Sequence, residues 1–73
     1  MPTTDWENLL SNFLKAELKT KGVTYAQLAE KLEDLGVHEK EANIGNKLSR
    51  GRFSAVFLAQ CLRAIGSERL RLD

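Results

Sequence analysis

The stretch Ile44–Ser54, I-G-N-K-L-S-R-G-R-F-S, combines an apolar pair with a run of cations. Ile44 and Leu48 are four residues apart and fall on one side of a helix. Amide and cationic residues occupy a neighbouring side and the turn that follows: Asn43, Lys47, Arg50 and Arg52. The pattern predicts a helix that packs by one edge and offers hydrogen-bond donors from the other, as a helix in a nucleic-acid groove must. It also suits an ordinary solvated helix face.

The size and composition of the chain are those of one small domain spanning residues 1–73. Apolar residues make up 42 % of the chain and charged residues 29 %. Cys61 is the only cysteine, so neither an internal disulfide nor a cysteine-based metal site is expected. We find no apolar run long enough to span a membrane and no signal peptide. These features predict a cytoplasmic protein without a cofactor or metal.

The charge of the chain is unevenly distributed, although the net value is only +1. Residues 1–43 hold five Lys or Arg against eight Asp or Glu, a net charge of −3. Residues 44–73 hold six Lys or Arg against two Asp or Glu, a net charge of +4. Because affinity for phosphate depends on the local field, this segregation permits a positive surface on a nearly neutral molecule.

Apolar residues recur at intervals of three and four along most of the chain, which predicts an all-α fold. We expect a compact domain of four helices over residues 5–21, 25–35, 39–49 and 55–65. Among the apolar residues of the first two helices, Trp6, Phe13, Leu28, Ala29, Leu32 and Leu35 are expected to face the core. Gly45 is expected to allow close approach of a neighbouring helix, at Ala29.

Helix starts are marked by residues that cap the first free amide groups. Thr4 with Glu7, and Thr24 with Gln27, have the spacing of a capping box. Ser54 is the expected cap of the last helix. The third helix has a weaker start signal, for which His38 is a candidate cap.

The tail at residues 67–73 alternates arginine and leucine in R-L-R-L. A two-residue period is typical of extended chain. A single extended segment has no strand partner within an all-α domain, so it either packs on the core or pairs with a second copy. The second possibility predicts a homodimer whose interface includes Leu70 and Leu72.

Sequence motifs of catalysis are not found. The chain has no glycine-rich phosphate loop, no H-E-x-x-H, no C-x-x-C and no G-x-S-x-G. Its one histidine and one cysteine fall on different predicted elements, which gives a nucleophile–base pair no support. We therefore expect a protein that is not an enzyme.

The string Lys21–Leu32, K-G-V-T-Y-A-Q-L-A-E-K-L, resembles the opening of helix-turn-helix repressors of the lambda-repressor or XRE type. L-S-R-G at residues 48–51 is similar to the close of their recognition helix, and Ala55 to Gly66 resembles the helix after it. The N-K-x-S-R-G-x-F run also resembles a small bacterial domain family of unknown function. Two departures are visible: the segment between Ala29 and Leu48 is longer than in those repressors, and Tyr25 stands where they often carry glutamine.

This resemblance implies a DNA-binding regulator of transcription that acts as a homodimer on double-stranded DNA. It would place the third helix in the major groove and assign base contacts to Asn43, Asn46 and Lys47. The remaining implied contacts are to phosphates, from the basic turn, the starts of the second and fourth helices and one further lysine: Arg50, Arg52, Thr24, Tyr25, Gln27, Ser54 and Lys40. Glu39 and Glu41, which flank Lys40, argue against this surface because they repel phosphate.

Two other functions remain open from sequence. The chain could be a helical protein-interaction module, such as an adaptor or an antitoxin-like subunit, that binds a protein partner through its tail and helix surfaces without binding DNA. RNA binding is a third possibility. It is disfavoured because the sequence provides no exposed aromatic pair for stacking on unpaired bases.

Overall fold

The computed structural model describes residues 5–67, 69 and 70, and these residues form the predicted all-α fold of four helices. The helices are α1 (Trp6–Lys21), α2 (Tyr25–Asp34), α3 (Glu41–Arg50) and α4 (Ala55–Ile65). Both α1 and α2 pack against α3 and α4, so the two halves of the chain form the two sides of a shared core. None of the four helices combines the length and apolar character that a membrane span requires.

The core is built from the residues that recur at helical spacing. Its fully buried centre comprises Leu14, Leu28, Leu32, Ile44, Leu48 and Cys61, with Leu18, Phe57, Leu58 and Ile65 at its margin. Each helix contributes at least two of these side chains, because positions three or four residues apart share one side of a helix. The two apolar residues of the Ile44–Ser54 stretch are thus anchored as its sequence predicts.

The predicted caps of α2 and α4 are confirmed. The Thr24 hydroxyl accepts from the backbone N–H of Gln27 at 3.1 Å, and the Gln27 side chain accepts from the N–H of Thr24 at 2.9 Å. Ser54 accepts from the N–H of Phe57 at 3.0 Å. These short-range bonds fix where both helices begin, because they satisfy amides that have no partner within the helix.

Two other predicted helix starts are wrong. Asp5, not Thr4, caps α1, and its carboxylate accepts from the N–H and the side-chain amide of Asn8 at 3.1 and 2.8 Å. The third helix begins at Glu41, two residues later than expected, with Lys40 as a cap that makes no side-chain hydrogen bond. The His38 ring instead contacts the Glu33 carboxylate at 2.7 Å, at the end of α2.

Some expected core positions are also corrected. Trp6, the first residue of α1, is 63 % exposed, and Leu35, which caps the end of α2, is 46 % exposed. A Cβ at Gly45 would lie 3.7 Å from the Tyr25 ring, so the close neighbour of this glycine is the start of α2 and not Ala29.

Candidate nucleic-acid interface

The side of α3 that faces away from the core carries small and polar side chains. Ile44 and Leu48 are fully buried on the opposite side. The exposed residues on the outward side are Ala42, Asn43, Asn46, Ser49 and Arg50. Glu41 is also exposed, but it lies about 140° around the helix from Asn46, since each residue advances about 100°. The outward side, which we call the α3 outer face, therefore carries amide, hydroxyl and guanidinium groups without a carboxylate.

Lys47 does not belong to the α3 outer face, and the outward orientation expected for it is wrong. Its Nζ lies 3.0 Å from the Glu39 carboxylate and 4.5 Å from the centre of the Phe57 ring. The ring provides a cation–π contact in addition to the ion pair. Both charged groups are partly shielded from water, since the Lys47 and Glu39 side chains are 36 % and 15 % exposed. Lys47 thus joins α3 to α4 instead of pointing outward.

The same ion pair alters the charge around the start of α3. Glu39 was expected to repel phosphate beside Lys40, but its carboxylate is directed to Lys47. Lys40 is exposed, and among the described residues it makes no ion pair. Glu41 remains the exposed acid next to it. The acidity of this segment is therefore lower at the surface than the sequence indicates.

The two arginines that end α3 and follow it differ in their partners. Arg52 Nε lies 2.6 Å from the Glu7 carboxylate in the first turn of α1. Arg50 is exposed and makes no ion pair within the part of the chain that the structure describes. Gly51 between them is buried against the Glu7 backbone. The acidic half of the chain thus offsets one of these two arginines, both of which were expected to hold phosphates.

The start of α2 lies beside the middle of α3. The half-buried Tyr25 ring packs against Gly45, which brings the Thr24 cap to the α3 side of α2. The side-chain oxygens of Thr24 and Gln27 accept the capping bonds, which leaves the Gln27 side-chain N–H groups available as donors. The first backbone amides of α2, like those of α4 after Ser54, lack partners within the helix. Donors and the positive end of a helix dipole therefore stand at both starts.

Four residues near this surface were missed by sequence reasoning. Ala42 and Ser49 complete the α3 outer face, and their helical spacing from Asn46 could have identified them. Glu7 and Glu39 hold Arg52 and Lys47, over separations of 45 and 8 residues. No sequence signal identifies these two pairs, because each depends on how separate segments of the chain come together in the fold.

The expected dimer contact is only partly within the described chain. Leu70 is 43 % exposed and lies after α4, outside any helix or strand. Leu72 lies outside the described residues.

The Cys61 thiol is fully buried in the core, close enough to Lys47 and Glu39 for both charges to influence it. Burial raises the pKa of the thiol from 9.0 to about 12; Lys47 lowers this pKa and Glu39 raises it, both to a smaller extent. A thiol in this setting stays neutral and packs as a small apolar side chain. Among the described residues, no three His, Cys, Asp or Glu side chains cluster as a metal site would require.

These features define a small four-helix protein whose α3 outer face is polar and carries no carboxylate. Residues 6–70 match the family described as Domain of unknown function (DUF6471). Since this match covers most of the chain, the protein belongs to that family. No curated protein and no solved structure matches the chain.

Proposed function

We propose that this protein is a sequence-specific DNA-binding regulator that reads the major groove with the α3 outer face. The observation that carries the proposal is the composition of that face. Its five exposed side chains are all of types that contact base edges, and none carries a negative charge. The resemblance of the chain to helix-turn-helix repressors agrees with this proposal.

Each side chain of the α3 outer face has a matching feature in the major groove. Asn43 and Asn46 each have an amide that can donate to and accept from one adenine edge. Arg50 has paired donors that fit guanine, Ser49 can bond either kind of edge, and Ala42 can contact a thymine methyl group. Arg50 would therefore contact a base instead of the phosphate that the resemblance implied, and Lys47 would not contact bases.

Phosphate contacts would surround this face. Arg52 and Lys40 would supply charge, and the starts of α2 and α4 would supply backbone amides. Gln27 and the Tyr25 hydroxyl would add donors at the start of α2. Because phosphate contacts position a helix without reading sequence, their loss should weaken binding to all duplexes equally.

We further propose that the protein acts in the cytoplasm as a homodimer and not as an enzyme. One recognition helix with few free cations binds DNA weakly, whereas two linked copies add their contacts on adjacent half-sites. Only Lys40 and Arg50 of the cations near the α3 outer face lack an ion pair among the described residues. The salt dependence of binding should therefore be shallow for each subunit.

The test begins with selection of bound duplexes from a random-sequence DNA library. The selected duplex and a scrambled duplex are then titrated by fluorescence anisotropy at several salt concentrations. Arg50→Ala and Asn46→Ala should each weaken binding to the selected duplex by about 1–3 kcal/mol and relax base preference at one position. Lys15→Ala, which removes an exposed cation from α1, is the matched control for Arg50→Ala and should bind normally.

Three results would contradict the proposal. The first is a selection that enriches no sequence. The second is an Arg50→Ala variant that binds like Lys15→Ala. The third is a Lys47→Ala variant that relaxes base preference while Arg50→Ala and Asn46→Ala do not.

A further inference from the structure

An open groove of about 780 Å³ runs between one side of α4 and the C-terminal segment, by which we mean the described residues that follow α4: Gly66, Ser67, Arg69 and Leu70. Leu58 and Leu62 of α4 and Leu70 of the segment give it an apolar lining. Ala55 and Ala59, whose side chains are small and exposed, form one shallow side of the groove. The groove shares no residue with the α3 outer face.

The segment that borders this groove is held in place at its start. The backbone N–H of Ser67 donates to the carbonyl of Leu62 at 2.9 Å. The Ser67 hydroxyl donates to the Glu17 carboxylate of α1 at 2.7 Å. The start of the segment is therefore fixed before any partner binds, and a ligand would not have to order it.

The charged residues among the described lining of the groove are all positive. Arg63 and Arg69 are the charged residues of that lining, and both are exposed. Neither makes an ion pair with another described residue. A ligand with apolar side chains between two acidic ones would match both the lining and its charge.

We propose that this groove binds an amphipathic helix of another protein, with apolar residues on Leu58, Leu62 and Leu70 and acidic residues facing Arg63 and Arg69. A helix is the favoured form because Ala55 and Ala59 are one helical turn apart. Small side chains at this spacing allow a second helix to approach closely, and its apolar residues three and four apart then fill the groove.

A second copy of the chain is a poorer match. In a two-fold dimer the same surface of each subunit meets its counterpart. The interface would then carry Arg63 and Arg69 of both copies, with no acid of the described lining to offset them, and like charges across an interface disfavour association. The groove thus favours a different, acidic chain.

The test uses isotope-labelled protein and three synthetic peptides of about 18 residues, long enough to form helix. The first peptide places leucine three and four residues apart and flanks these positions with glutamate. The second replaces each glutamate with lysine, and the third replaces each leucine with alanine. Backbone amide shifts and peptide fluorescence anisotropy report the site and the affinity.

The acidic leucine peptide should bind at least about ten-fold more tightly than either relative, with shifts confined to α4 and residues 66–70. Ala59→Arg should block the groove, and Arg63→Glu, which leaves Arg69 as the one positive charge of the described lining, should remove most of the preference for the acidic over the basic peptide. Lys15→Glu is the matched control for charge and should bind like the unaltered protein. Circular dichroism of each variant checks that it is folded.

Several outcomes would overturn the proposal: no binding by any peptide, equal binding of the acidic and basic peptides, or shifts outside the groove. Shifts at Leu62 and Leu70 that depend on protein concentration without peptide would identify a second copy as the occupant and would also overturn it. Failure of DNA binding would not affect this result, because the DNA proposal uses α3.

Discussion

The hydroxyl of Ser11 in α1 donates a hydrogen bond to the backbone carbonyl of Leu48 in the last turn of α3. Ser11 is the buried polar side chain of the described core, with 2 % of its surface exposed. The last carbonyls of a helix have no partner within it, so this carbonyl would otherwise be buried without a hydrogen bond. The bond therefore links α1 to the end of the helix that carries the α3 outer face.

Replacing Ser11 with alanine should lower the free energy of unfolding by about 1–3 kcal/mol, the cost of leaving a buried carbonyl without its donor. Urea denaturation followed by circular dichroism measures this loss. Asn12→Ala, at the next and exposed position, should cost less than about 0.5 kcal/mol. Equal midpoints for the two variants would show that the Ser11 bond contributes nothing to stability.

Gly51 should tolerate alanine less well than Gly66 does. Both have a left-handed backbone, with φ of 72° and 75°, so both substitutions carry a conformational cost of about 1–2 kcal/mol. A Cβ at Gly51 would also lie 2.6 Å from the Glu7 carbonyl oxygen, whereas a Cβ at Gly66 meets nothing within 4 Å. We expect Gly51→Ala to be a further 1–3 kcal/mol less stable, about the cost of overpacking. Thermal unfolding of the two variants tests the difference, which should be absent if α1 does not pack on this turn.

Removing the charge of Glu7 should strengthen DNA binding if the proposed function is correct. Glu7 holds Arg52 at 2.6 Å and competes with phosphate for its guanidinium. In Glu7→Gln we expect affinity to rise by about two- to five-fold, since an exposed ion pair contributes at most about 1 kcal/mol. The salt slope should steepen by up to about one. Glu30→Gln changes the net charge equally from an exposed site on α2, and an identical gain in that variant would point to net charge alone.

The buried thiol predicts how stability changes in alkaline solution. Burial raises the pKa of Cys61 to about 12 in the folded protein, against 9.0 for an ordinary thiol. As pH rises above 9.0, the unfolded chain therefore loses this proton before the folded chain does. The contribution of Cys61 to stability is constant below that pH and falls between 9.0 and about 12. Urea denaturation at several alkaline pH values should show a steeper decline for the unaltered protein than for Cys61→Ala; parallel declines would contradict the predicted ionisation.

Cys61 should also resist alkylation while the protein is folded. The reactive thiolate is scarce when the pKa is raised, and the side chain is fully buried. We expect iodoacetamide to modify the protein rapidly in concentrated urea and slowly in buffer at about pH 8.5. Mass spectrometry over time distinguishes the two rates, and rapid modification in buffer would show that α4 opens readily.

Prediction from sequence succeeded for the helices and failed at several side chains of the candidate interface. The start of α2 follows from Thr24 and Gln27, which lie three residues apart and need no other part of the chain. The outward orientation predicted for Lys47 was wrong because the helical pattern places this residue at the edge between the buried and exposed sides of α3. The positions of the Glu39 carboxylate and the Phe57 ring decide which way its side chain turns. The core position predicted for Trp6 was wrong because an apolar pattern does not show which residues at a helix end reach the core.

Local sequence was sufficient to establish an all-α chain of four helices, the caps of α2 and α4, and the leucines that form the core. Caps and helical periodicity act over three or four residues, so a short stretch of chain is enough to predict them. The tertiary structure decided which donors remain free: Glu7 reaches Arg52, Glu39 reaches Lys47, and the amides and Arg50 of α3 stay exposed. The Glu7–Arg52 pair spans 45 residues and depends on how α1 packs on the turn after α3, whereas the Glu39–Lys47 pair spans 8 residues and joins the turn before α3 to α3 itself. Both separations exceed the three or four residues over which capping and periodicity act.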